Sequence, residues 1–141
     1  MVKSRRNNAL SQYQSVSVTS GVEDATPHRL VQMLMEGALD KIAAAKGFML
    51  RGEVAEKGRH ISWAISIISG LQSSLNMDVE AGGLSQNLFD LYDYMVRRLA
   101  EAGAANDPVI LDEVSSLMAE IKAGWDVIPA RLNEESRKSA V

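Results

Sequence analysis

The sequence predicts an all-α protein, an antiparallel up-down four-helix bundle with a mobile N-terminal segment. Three observations lead there. Of the 141 residues, 46% are hydrophobic but only 5% aromatic, and seven are methionine, a composition that favours helices over a sheet. Apolar residues recur at three- and four-residue spacing over four separate stretches, the period of a helix that commits one face to a core. The connections between these stretches are short, which sets neighbouring helices antiparallel. The expected organisation is a flexible N-terminal segment over 1–24, a bundle over 25–128 and a flexible C-terminal tail over 129–141.

Residues 1–24 are dominated by Ser, Asn, Gln and Thr, and apolar members such as Leu10, Tyr13 and Val16 are too sparse to bury themselves. The first helix starts at Thr26, a good N-cap, with Pro27 at the position where a missing N–H costs nothing. Leu30, Leu34, Ala38, Ile42, Ala45 and Met49 carry its apolar face, and Arg51-Gly52 ends it. The second helix runs from about Glu53 to Asn76. Its charged first turns, with Glu53, Glu56, Lys57 and Arg59, are expected to be wet.

After those turns come seventeen residues without a charge, Ile61 to Met77. At 100° per residue Ile61, Ala64, Ile65, Ile68, Leu71 and Leu75 share an arc of about 120°, and Trp63 and Ile67 widen it to about 200°. One core needs less. The helix is therefore either the central member of a bundle or the floor of a groove for another helix, and periodicity leaves both open. Ala81-Gly82-Gly83 makes the next reversal. A third helix, about Leu84 to Ala102, presents Leu84, Leu88, Leu91, Met95 and Leu99. A fourth starts at Asp107-Pro108 and reaches Val127 through Ile110, Val114, Leu117, Ile121 and Trp125.

No chemistry competes with this apolar excess. There is no cysteine, so disulfides and thiolate nucleophiles are excluded, and a reducing compartment, the cytoplasm, is the default. His28 and His60 are the two histidines, no Glu-x-x-His motif occurs, and both read as surface residues without a metal. Gly82-Gly83 has the spacing of neither phosphate loop. The net charge of −3 argues against nucleic acid. The uncharged stretch, interrupted by five serines, falls short of a membrane span. The chain reads as no enzyme and needs no cofactor. Large apolar patches on soluble proteins mark partner sites, and a helix laid in a groove is the matching mode.

At this point the residues resemble a family, the flagellar secretion chaperones called FliS. The resemblance spans about Tyr13 to Trp125 and rests on Tyr13-Gln14, Ala25-Thr26-Pro27, Met33-Leu34, Gly37-Ala38, Ile67-Ile68, Gly82-Gly83, Asn106-Asp107 and Trp125. Its strongest local piece is Leu91-Tyr92-Asp93-Tyr94-Met95. The family resemblance implies a cytoplasmic chaperone that holds the C-terminal helical segment of flagellin, prevents premature polymerisation and delivers the subunit to the flagellar export apparatus. It also implies that Tyr13 belongs to a movable cap over the binding surface. Partner contacts are then expected from Ile61, Trp63, Ala64, Ile67, Ile68 and Leu71 on the second helix and from Leu88, Tyr92 and Met95 on the third, with Tyr92 as a hydrogen-bonding rim. Trp63 stands where a polar or basic residue is common in the family, and Met35 where tyrosine is. The alternative is a homodimeric helical structural or adaptor protein whose apolar excess is its dimer interface.

Overall fold

The structure, a computed structural model, describes residues 25–77 and 83–128. Its helices are α1 (Pro27–Leu50), α2 (Val54–Ser73), α3 (Leu84–Ala105) and α4 (Pro108–Val127), and no strand occurs among the described residues. The two proline-led starts form as the sequence predicts. Thr26 Oγ1 accepts a hydrogen bond from the Arg29 N–H at 3.1 Å, and Asp107 Oδ1 accepts one from the Val109 N–H at 2.9 Å. Gly52 turns the chain between α1 and α2 at φ 75°, a left-handed conformation that glycine adopts without strain.

Two helix ends differ from the sequence reading, each for a local reason. α2 stops at Ser73 rather than near Asn76, because the Ser74 hydroxyl donates to the Leu71 carbonyl at 2.8 Å. The Leu75 N–H, which a continuing helix would place on that carbonyl, goes to the Gln72 carbonyl at 3.3 Å. α3 runs past Ala102 to Ala105 and is stopped by Asn106, left-handed at φ 55°. Lys57 of α2 secures that stop, its ammonium donating to the Gly103 carbonyl at 3.2 Å and to Asn106 Oδ1 at 3.1 Å. Lys57 is thus buried at 8% exposure, not wet. The carbonyl end of α3 supplies the negative potential that makes burial of the cation tolerable.

Each helix packs against its chain neighbour, and α4 closes the square against α1. Long-range contacts fix the directions. Gly103 near the end of α3 faces Ile61 near the start of α2, the Gln72 amide late in α2 reaches the Phe89 carbonyl early in α3, and His28 at the start of α1 meets Trp125 at the end of α4. Leu34, Ile42, Ile68, Leu71, Met95, Leu99, Leu111, Val114 and Met118 are among the buried residues that fill the centre. Up-down topology therefore gathers the starts of α1 and α3 and the ends of α2 and α4 at one end of the bundle.

Candidate partner-binding site

That end is hollow. A cavity of about 460 Å³ is walled by Val31 and Met35 of α1, Leu71 of α2 and Leu75 just beyond it, Leu84, Leu88 and Tyr92 of α3, and Ile121 and Trp125 of α4. Leu84 is half exposed, so the apolar wall continues to the surface. Ser74, Asn76, Ser85 and Glu120 contribute the polar part of the lining. A space of this size lies in the range of specific binding pockets.

Tyr92 supplies a polar group within the apolar wall. Its side chain is 2% exposed, and burial pushes its phenol up to about 12, so it stays a neutral donor at physiological pH. Among the described residues no group hydrogen-bonds its hydroxyl, and no fully buried side-chain nitrogen or oxygen lacks a partner. The hydroxyl is therefore not sealed in the core and is available to a ligand in the cavity.

The α1–α4 side of the cavity is held by a clasp. The rings of His28 and Trp125 stack at 4.7 Å with 6° between their planes. Trp125 Nε1–H donates to the His28 carbonyl at 3.1 Å, and His28 Nε2–H donates to the Trp125 carbonyl at 2.9 Å. The surface reading of the histidines is corrected on both counts. His28 is half-buried in this clasp, and the His60 side chain is 12% exposed, its Nδ1 at 2.8 Å from the Glu56 carbonyl. Among the described residues no cluster of three or more His, Asp or Glu could hold a metal.

The structure divides the residues anticipated from sequence. Leu71, Leu88 and Tyr92 come together on the cavity wall. Ile61, Ala64, Ile68 and Met95 are buried in the core at 5% exposure or less, outside the cavity lining. Ile67, expected to face outward, is 2% exposed while Ile65 is only half-buried. The buried arc of α2 is thus centred about 40° further toward Ile67 than the Ile65-based reading placed it. Trp63 is 42% exposed but lies on the side of α2 turned to α1, where the Lys41 ammonium covers its ring at 3.7 Å. It does not line the cavity with the α3 residues. Tyr13 lies outside the described residues, as do the segments 1–24, 78–82 and 129–141.

Sequence reasoning missed the contribution of α1 and α4, Val31, Met35, Ile121 and Trp125. The signal was present in the topology, since the first turns of α1 and the last turns of α4 must meet the end of α2 in an up-down bundle.

Comparison with known proteins decides the class. The family model described as "Flagellar protein FliS" matches residues 8–132. The chain belongs to the FliS family. It is 52% identical over 121 residues to flagellar secretion chaperone FliSB of Pseudomonas aeruginosa, covering 85% of this chain and 94% of that one. The flagellar secretion chaperone FliS of Vibrio cholerae is 41% identical over 121 residues, 86% and 88% of the two chains. That of Salmonella typhimurium is 39% identical over 132 residues, 92% and 97% of the two chains. FliS proteins are chaperones rather than enzymes, and this chain is a chaperone of flagellar secretion. Among the described residues of this FliS protein no helix is long and apolar enough to cross a membrane.

Proposed function

We propose that this FliS protein binds the C-terminal helical region of flagellin in the cytoplasm, keeps it from polymerising and assists its delivery to the flagellar export apparatus. The cavity carries the reading. A four-helix bundle that packs its centre tightly yet leaves about 460 Å³ of apolar space at one end is built to receive side chains from outside. An amphipathic helix would seat its apolar residues against Leu71, Leu88 and Trp125, and the Tyr92 hydroxyl would take the polar group that enters with them. Of the other residues anticipated on α2 and α3, Ile61, Ala64, Ile67, Ile68 and Met95 form the packed core behind these contacts, and Trp63 lies apart on the α1 flank. The segment 1–24 leads into α1 next to His28, beside the cavity, and serves as its cover in the free chaperone, with Tyr13 as the covering side chain.

The test is a calorimetric titration with a flagellin C-terminal fragment. Saturable binding in the micromolar range or tighter is expected, weakened at least tenfold by Leu88→Asp with helicity retained. Absence of heat at about 100 µM fragment, well above such a Kd, sinks the reading. Removal of residues 1–24 tightens binding if the segment is a cover and leaves it unchanged if it is not. Sedimentation of the free chain decides the homodimer alternative, which predicts a mass that rises with concentration.

A further inference from the structure

Trp125 is the largest side chain on the cavity wall, and what holds it lies outside the cavity. It is only half-buried and stands in the last turn of α4, where a helix frays most readily. An indole in that setting is free to change rotamer unless something fixes it. His28 does so from the second position of α1, and it is not part of the cavity lining. Its imidazole covers one face of the indole at 4.7 Å and 6°, and the indole Nε1–H donates to the His28 carbonyl at 3.1 Å. The return bond, from His28 Nε2–H to the Trp125 carbonyl at 2.9 Å, ties the imidazole to the residue it stacks on. A ligand in the cavity therefore meets an indole whose one polar group is already satisfied and whose plane is set from behind.

Helix attachment does not depend on this contact alone. One turn further along α1 the Gln32 amide donates to Asp126 Oδ1 at 2.6 Å, and the Lys122 ammonium lies 3.8 Å from Glu36 Oε1. These pairs join α1 to α4 without touching the indole, and none of their members lines the cavity. With α1 and α4 joined there, what the His28 stack and donor add is the setting of the ring.

We infer that His28 is a positioning residue for the partner site: it holds the Trp125 indole in the orientation against which the flagellin helix packs, and raises affinity without contacting that helix. This rests on the flagellin reading of the cavity. A wall fixed before the ligand arrives need not be ordered on binding. Ordering one large side chain at the moment of binding lowers affinity about three- to tenfold, which is the effect assigned to His28.

The experiment combines calorimetry of the full chain against the flagellin C-terminal fragment with fluorescence of Trp125 in a Trp63→Phe background, which leaves one tryptophan. His28→Leu keeps bulk at the contact and removes the flat ring and the donor, and His28→Ala removes all three. Either variant, checked for helicity by circular dichroism, should weaken fragment binding about three- to tenfold. In the free variant the nanosecond fluorescence anisotropy of Trp125 should decay further than in the parent chain, and the difference should vanish when the fragment saturates. His28→Gln, whose planar amide can lie on the indole and donate from the Nε2 position, should bind within about twofold of the parent. Gln32→Ala should lower the denaturation midpoint and leave affinity and anisotropy as in the parent. Unchanged affinity in a folded His28→Leu or His28→Ala, or a Trp125 as rigid there as in the parent, overturns the inference and leaves the flagellin reading standing. Equal weakening in Gln32→Ala overturns it as well, because affinity would then follow the joining of α1 to α4 rather than the indole. So does equal weakening in His28→Gln, which would make the imidazole itself the contact. A parent chain that binds no fragment at about 100 µM overturns the flagellin reading itself, and the inference falls with it.

Discussion

At the scale of single residues, Tyr92 and Ile67 show how burial alone leaves a role undecided. Both are 2% exposed, yet Tyr92 lines the cavity while Ile67 is core and lines no part of it. Tyr92→Phe removes one hydroxyl, a hydrogen-bond donor, and leaves the ring that forms the wall in place. It should weaken the flagellin fragment about three- to tenfold, the worth of one hydrogen bond, and leave stability at pH 7 nearly unchanged. The same phenol has a pH signature. Its pKa is pushed from 10.0 to about 12 by burial, so its contribution to stability is complete below pH 10, where the phenol is neutral folded or unfolded. The contribution is lost as pH rises from 10 toward 12, where only the unfolded chain ionises. Urea midpoints should fall more steeply between pH 9 and 11 in the parent chain than in Tyr92→Phe, and equal slopes would contradict this account. Ile67→Asp puts an unpaired carboxylate into the core and should cost roughly 4 kcal/mol or more, unfolding the domain rather than merely abolishing binding. A folded Ile67→Asp protein, seen by circular dichroism, would put that side chain back on the surface.

At the scale of the helices, starts were legible and rotation was not. Thr26-Pro27 and Asp107-Pro108 announce α1 and α4 because the physics of a helix start is local, one side-chain acceptor and one missing N–H. The ends of α2 and α3 depend on contacts the sequence does not display. Ser74 takes a carbonyl from its own turn, and Asn106 is held by a lysine 49 residues away. The facing of α2 was ambiguous for a plain reason. Ile65 and Ile67 are chemically identical and flank the same arc, so only the neighbours determine which one is buried. Trp63 reads from its apolar character as part of the partner surface, whereas it lies on the flank turned to α1, under the Lys41 ammonium. The Lys57–Asn106 contact is a testable element-level tie. Lys57→Met and Asn106→Ala should each destabilise by about 1–3 kcal/mol, since each strands a polar group at the end of α3. Their double mutant should cost less than the sum by about 0.5–1.5 kcal/mol. Strict additivity in denaturant unfolding would mean that the two residues act separately.

At the scale of the whole molecule the two ends of the bundle are built differently, and the cavity lies at the end where α1 and α3 start. The far end is tied by Lys57 across α2 and α3, and the cavity end by the His28–Trp125 clasp. The cavity was legible from sequence only as an excess of apolar residues, because volume belongs to no single helix. Gly124 shows what the cavity end costs. It sits inside α4 and lines the cavity, yet a Cβ built on it would meet nothing within 4 Å. Glycine in a helix interior gives up roughly 0.5–1 kcal/mol relative to alanine, so the fold has passed over an easy gain where the space is empty. Gly124→Ala should therefore stabilise the free chain by about that amount, read as a raised denaturation midpoint, with little effect on partner binding. Gly124→Leu keeps the gain in helix propensity and carries three more carbons toward the cavity. It should leave the fold at least as stable as the parent while lowering affinity for the flagellin fragment by tenfold or more. The pair separates stability from function at one position. If Gly124→Leu binds the fragment as tightly as the parent chain while remaining folded, the cavity end of the bundle is not where flagellin docks.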